Sequence, residues 1–407
     1  MKNVNIESKQ VIDGILVSFV LFSELCFKGV SLFITPFVFF VRILFIQRKK
    51  VDESFFWLVL MMLYTSLIGI IVPQNTDNFS IFYNFFVFLN LICIYIIFSE
   101  YQTISQVLAV IKVIIVLSTL LNGLYIMRKE YSYVISRLPD YIIGHCGYRL
   151  GTNMGLNSNN IAWLFGLLAL FTIYIFIEEK NWKLFLLYGF QLLILLFTGS
   201  KNGLLIAIIP LIYYGIKAAM KVDFKMLILI VVLLIVFWNV IQKIPIFYTL
   251  IGGRIDQFLY TLGIKKSFVN ITVDVSSTLK RMDMIKKAKQ MFLEKPIFGW
   301  GIGAFAKYSG YGYYCHNNYM ELLVSGGIIG FIIYYGYIGI ILFRSLFYRK
   351  SAYSDLLYIL ILSILIIDMG TVNFYSRIPF YLRTIVLFIS LAKIKKECRF
   401  YNKNIEF

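Results

Sequence analysis

Between Ser276 and Gly330 the chain reads SSTLKRMDMIKKAKQMFLEKPIFGWGIGAFAKYSGYGYYCHNNYMELLVSGGIIG, the one stretch where charge, glycine, amide and histidine crowd together. His316 is one of only two histidines in the protein. It stands beside Asn317 and Asn318, with the carboxylate of Glu321 about one helical turn further on. An imidazole has an unperturbed pKa of about 6.5, so it is the side chain best suited to take a proton from a weak hydroxyl nucleophile near neutrality. The bland reading is a histidine simply hydrogen-bonded at a helix N-terminus. Asn317 or Asn318 is placed to cap the helix that follows, and Glu321 to orient the imidazole.

The elements that must hold this segment are membrane helices. Hydrophobic residues make up 60% of the chain and charged residues 15%, and the mean hydropathy is +0.80. A water-soluble core of this length could not hide so much apolar surface. Apolar runs recur at the length of about 20 residues that crosses a hydrocarbon core of roughly 30 Å, too long for the strands of a barrel. The expected spans are 11–27, 29–46, 54–72, 79–98, 104–127, 159–177, 182–198, 203–219, 224–241, 319–343, 356–370 and 378–391. The fold class is therefore an all-α polytopic integral membrane protein of about twelve transmembrane helices. The first span carries no small-residue cleavage signal and reads as a retained signal anchor.

The net charge of +18 sits mainly in short loops. Membrane orientation explains it without nucleic acid, and places both termini in the cytoplasm. The turn at Lys28 matters most here, because losing one span there would invert everything upstream. Residues 1–407 form one membrane domain with two external segments, 128–158 and the larger 242–318. No cytoplasmic loop is long enough for a nucleotide-binding domain, so any external chemistry draws on another energy source.

Within the large loop, Ser276, Ser277 and Thr278 are N-cap candidates for an amphipathic helix with an apolar stripe of Leu279, Met282, Ile285, Ala288 and Phe292. Lys280, Arg281, Lys286, Lys287 and Lys289 populate its other faces. Pro296 stops the helix, and Gly299, Gly301 and Gly303 form a flexible turn back toward the bilayer. There is no D-x-D pair, H-E-x-x-H or C-x-x-C pattern, so the expectation is metal-independent chemistry with no cofactor. Both histidines neighbour a cysteine, as His145-Cys146 and Cys315-His316. Chance adjacency, a Cys146–Cys315 disulfide and a four-ligand zinc site are the three readings of that pattern.

Three segments carry a resemblance to a known family. EKPIFGWGIGAF followed by CHNNYMELLVSGGIIG resembles the large-loop signature of the O-antigen polymerase and ligase superfamily of bacterial envelope glycan assembly. RLGTNMGLNSNNIA matches through Arg149, Gly151, Asn157, Asn159 and Ala162, with Ser158 where proline is common. LFTGSKNGLLIA is similar to a segment that usually shows Ser-Arg-Gly. Here Ser200, Lys201, Asn202 and Gly203 replace a bidentate fork with a point charge.

The resemblance implies transfer of a glycan from a polyprenyl pyrophosphate carrier to an acceptor hydroxyl outside the membrane, with inversion at the anomeric carbon. Its residues would be His316 as general base and Arg281 as its cationic partner in catalysis. Arg149, Lys201, Arg254 and Arg377 would bind pyrophosphate or glycan, with Asn159, Asn317, Asn318 and Glu321 in support. The expected topology places all five cations outside, against the usual bias, and a pyrophosphate leaving group needs such donors. Their bland reading is snorkelling to headgroups or pairing with an acid, as Arg377 or Arg383 would with Asp368.

The first expectation is a Wzy-type polymerase of lipid-linked repeat units in the bacterial cytoplasmic membrane. Its partners would be the lipid-linked donor, a glycan acceptor, membrane lipid, a chain-length regulator and a flippase. A ligase or protein glycosylase differs only in acceptor. A flippase or other transporter is the rival of another class, and would show related halves.

Overall fold

The structure, a computed structural model, describes residues 7–27, 30–46, 52–71, 81–143, 149–220, 276–348, 353–374 and 378–403, with scattered positions between 228 and 256. All regular elements among the described residues are helical. They are α1 (Ser8–Phe27), α2 (Val30–Leu44), α3 (Glu53–Ile71), α4 (Ile81–Ser99), α5 (Ile104–Ile143), α6 (Ser158–Glu179), α7 (Trp182–Thr198), α8 (Lys201–Ala219), α9 (Ser276–Glu294), α10 (Ala304–Tyr308), α11 (Asn318–Ser345), α12 (Ser354–Ile367) and α13 (Ile378–Lys403). Each expected span except 224–241 coincides with one of them, and most of 224–241 lies outside the described residues. Four stretches, Ile104–Pro139, Ser158–Glu179, Lys201–Ala219 and Asn318–Ser345, are long and apolar enough to cross a membrane. Five shorter apolar helices accompany them. This is the helix content of a polytopic membrane protein.

Two expected boundaries move. α5 does not end near Met127 but runs on to Ile143, because no glycine or proline interrupts 124–138 and Glu130 and Val134 are buried. α13 likewise continues past Leu391 to Lys403 through good helix formers.

The chain divides into two compact units, residues 1–118, 177–180 and 283–407, and residues 119–176 and 181–282. In the first, α4 packs against α2, α3 and α13, α1 packs on α2, and α11 packs on α3 and α12. One end of this unit gathers its charges. Arg42 forks to the buried Asp13 at 2.5 and 2.9 Å and reaches Glu100 at 2.9 Å, while Lys9 pairs with Glu100. Arg344 at the end of α11 pairs with Glu53 at the start of α3, and Tyr95 donates to Asp52. The start of α1, the end of α2, the start of α3 and the end of α11 therefore share one end of the unit. That alternation requires α1 and α2 to be two separate antiparallel helices, the point on which the turn at Lys28 bears. Lys112, within α5, pairs with Glu179 at the end of α6.

In the second unit, α6 and α8 cross at small residues. A Cβ on Gly166 would lie 2.8 Å from the Gly203 carbonyl oxygen, and one on Gly203 would lie 2.7 Å from Ala162. Such contact lets two backbones meet without side chains between them, the packing expected of helices in lipid.

Candidate active site

α9 is held to the rest of its unit by one face. Met284, Ala288 and Met291, spaced i, i+4, i+7, pack against Phe305, Cys315 and Val324. Of the expected stripe, Ala288 is buried in this cluster and Ile285 packs against it, while Met282 is 41% exposed and Met284 and Met291 complete the buried face. Lys280, Arg281, Lys286 and Lys289 are exposed.

The glycine turn after α9 is pinned rather than flexible. The Trp300 indole donates to the Met291 carbonyl at 2.7 Å, satisfying one of the groups that the end of α9 leaves open, and the Lys295 ammonium lies 3.9 Å over the same ring. The turn then inserts into a break in α11. At Gly327 the backbone takes φ 60° and ψ −162°, outside any helix. The freed carbonyls of Val324 and Ser325 accept from the Trp300 and Gly301 N–H groups at 2.7 and 2.9 Å. The freed N–H groups of Ile328 and Ile329 donate to Pro296 and Ile297 at 2.8 and 3.3 Å. Broken helix in an apolar protein is tolerated only where such partners are supplied. A Cβ on Gly299 would lie 2.6 Å from the Val324 oxygen, so the approach is closed to other residues. From α3, the Tyr64 hydroxyl donates to the Gly326 carbonyl at 2.5 Å.

His316 sits just before α11 with φ 56°, one of two non-glycine residues in the left-handed region among the described residues. Asn317 is the N-cap of α11, its side chain accepting from the Met320 N–H at 3.0 Å. Glu321 is fully buried, and its Oε2 accepts the Cys315 N–H at 2.7 Å, which anchors the backbone directly ahead of His316. The Tyr314 and Tyr313 rings lie 4.4 and 5.8 Å from the imidazole.

Cys315 is a free, buried thiol, and Cys146 lies outside the described residues. Burial, reinforced by the Glu321 carboxylate, raises the Cys315 thiol well above its ordinary range, so it stays protonated and a poor nucleophile or metal ligand.

Asn318 does something other than cap. Its amide nitrogen donates to Asp368 at 3.0 Å and to the Tyr335 hydroxyl at 2.8 Å. Its oxygen accepts the N–H groups of Asn373 at 2.7 Å and Phe374 at 3.1 Å. Tyr335 and Asn373 also donate to the buried Asp368 carboxylate, and Arg383 is its electrostatic neighbour, with Nη1 on the Ser363 carbonyl. This hub fixes the start of α11, and with it His316, to the 368–374 turn. Asn318→Ala removes donors and acceptors together from a buried site. The expected result is a loss of about 2–3 kcal/mol, seen as a lower melting temperature and faster amide exchange at 373 and 374.

In the second unit, Arg149 forks between the Thr198 carbonyl, at 2.9 Å from Nε, and Asn159 Oδ1, at 2.8 Å from Nη2. The Leu150 N–H donates to the Phe197 carbonyl at 2.9 Å, laying this segment along the end of α7. Gly199 then turns in the left-handed region, and the exposed Lys201 opens α8. Arg149, Asn159 and the turn leading to Lys201, from two of the segments that carry the resemblance, are thus brought together. Arg254 and Arg377 lie outside the described residues. Arg281 is exposed in the first half of α9. Arg149→Lys keeps the charge but serves only one of the two acceptors, so activity is expected to fall about tenfold in a glycan-transfer assay at equal protein abundance.

Residues 184–335 match a family model described as O-Antigen ligase. That match supports the likeness to the O-antigen polymerase and ligase superfamily. No curated protein matches the chain. The matched domain runs from α7 to the middle of α11 and includes Lys201, Arg254, Arg281, His316 to Asn318 and Glu321, while Arg149, Asn159 and Arg377 flank it. Sequence reasoning missed Tyr64, Asn373 and Tyr335, which support the break in α11 and the start of that helix. All three reach their partners across the fold, and no spacing in the sequence announces them.

Proposed function

We propose that the protein is a membrane glycosyltransferase that polymerises lipid-linked oligosaccharide repeat units on the external face of the bacterial cytoplasmic membrane, with both termini cytoplasmic. In this reading His316 takes the proton of an acceptor sugar hydroxyl as its oxygen attacks the anomeric carbon of the donor. The bond from that carbon to the carrier pyrophosphate breaks, and its electron pair leaves on the phosphate oxygen. Arg281 meets the growing negative charge, with Arg149, Lys201, Arg254 and Arg377 as further cations for pyrophosphate or glycan. The chemistry draws on the carrier's own bond energy, without metal or nucleotide.

The observation that carries the proposal is the posture of His316. It is held in the left-handed region by an N-capped helix on one side and the Cys315–Glu321 bond on the other, inside the segment matched to an O-antigen ligase family. Ligation, named in that family's description, shares the donor chemistry and differs in acceptor. The test is incubation of purified protein with a synthetic polyprenyl-pyrophosphate repeat unit, without metal or nucleotide, and mass analysis of lipid-linked products. A ladder of multiples supports polymerisation. Folded protein that makes no ladder from the cognate repeat, but transfers to a lipid core or protein acceptor, moves the assignment to ligation.

A further inference from the structure

We infer that Tyr313 and Tyr314 form a stacking subsite beside His316 for a pyranose ring of the glycan acceptor, an inference that rests on the glycosyl-transfer reading above. The segment 307–314, KYSGYGYY, holds four tyrosines and no aliphatic side chain. Its rings run in series from the core outward. Phe305, fully buried, is the floor, and Tyr311 stacks on it nearly parallel, at 8° and 6.1 Å between centroids. Tyr313 follows at 6.3 Å, and the imidazole of His316 lies next, 5.8 Å from Tyr313 and 4.4 Å from Tyr314.

Tyr313 is 41% exposed, so part of its ring is open to a ligand. Gly310 and Gly312 hold the loop with φ of 87° and 76°, a posture glycine adopts without strain, and open space surrounds both. The tyrosines are therefore presented on a shaped backbone, anchored at Cys315 to the buried Glu321.

The chemistry fits a sugar. A pyranose presents an apolar face of C–H bonds, complementary to the negative face of an aromatic ring, and a rim of hydroxyls that needs polar neighbours. The phenol hydroxyls supply such neighbours. Exposed apolar side chains stand elsewhere in this protein, where Leu293, Ile297 and Phe298 are 64%, 57% and 67% exposed. Because the base assigned to His316 acts on the acceptor hydroxyl, the ring stacked beside it is the acceptor's.

The test is saturation-transfer NMR on the purified full-length protein, with the cognate repeat-unit oligosaccharide freed from its lipid as probe. Wild type should saturate the C–H protons of one sugar ring, and Tyr313→Leu should weaken that signal about fivefold, with recovery in Tyr313→Phe, which restores the ring. Tyr314→Leu gives the same comparison if Tyr313→Leu loses its fold. No signal in wild type, or an equal signal in a folded leucine variant, overturns the subsite. Transfer assays on the same preparations keep the two proposals apart. Transfer that ignores both tyrosines overturns the subsite and leaves the glycosyltransferase standing. Tyrosine-dependent binding without transfer to any acceptor does the reverse.

Discussion

His316→Asn is expected to lower glycan transfer by about 10²- to 10⁴-fold, the range for removing a positioned general base, while the protein still inserts and folds. Asparagine is the informative replacement because of the backbone. His316 sits at φ 56°, a region that asparagine visits readily and alanine resists. His316→Ala therefore mixes loss of the imidazole with strain ahead of α11, whereas asparagine keeps the turn and removes only the base. The measurement is initial rate at saturating lipid-linked donor, with melting temperature and membrane abundance as controls. A purely structural histidine would leave His316→Asn near wild type, and that result would remove His316 from the chemistry.

The second large effect is structural. Gly327→Ala would bring a Cβ within 2.2 Å of the Ile297 oxygen and 2.4 Å of its carbon, at φ 60° and ψ −162°, a combination essentially reserved for glycine. The segment 296–301 would have to leave the break in α11, exposing the four backbone groups it now satisfies. The expected cost is about 3 kcal/mol or more, from strain and lost hydrogen bonds together. Amide exchange at Trp300, Gly301, Ile328 and Ile329 should accelerate, and Trp300 emission should shift as its bond to Met291 is lost. Unchanged protection at these four amides would show that the break is not held as described. Transfer should fall with stability, since the same segment leads through Ala304 to His316.

How far each feature was legible depends on the range of the interaction that creates it. The helices were legible because hydrophobic length is a local property, and each expected span but 224–241 has its helix. The His316 segment was legible as a cluster, since His316, Asn317 and Glu321 are near neighbours in the chain. Pro296 and the three glycines correctly announced a turn. What the turn does was not legible. Alone, Gly299, Gly301 and Gly303 read as freedom, yet Gly299 is required because a second backbone, at Val324, passes within contact.

Asn318 shows the same division. Its sequence position beside Asn317 suggested two interchangeable caps, and the cap is Asn317, decided locally by its distance to the Met320 N–H. Asn318, one residue on, points to groups about 50 residues away at Asp368 and Asn373. Likewise the expected stripe of α9 ran through Met282, and only contact with Phe305, Cys315 and Val324 shows that Met284 and Met291 join Ala288 on the covered face. The sequence by itself determined a helical membrane protein with a histidine-bearing loop that resembles a known family, because span length and local motifs are written along the chain. The tertiary structure alone decided which backbone groups fill the break in α11, which face of α9 is covered and what holds His316 in place, because each of those depends on partners brought together only by folding.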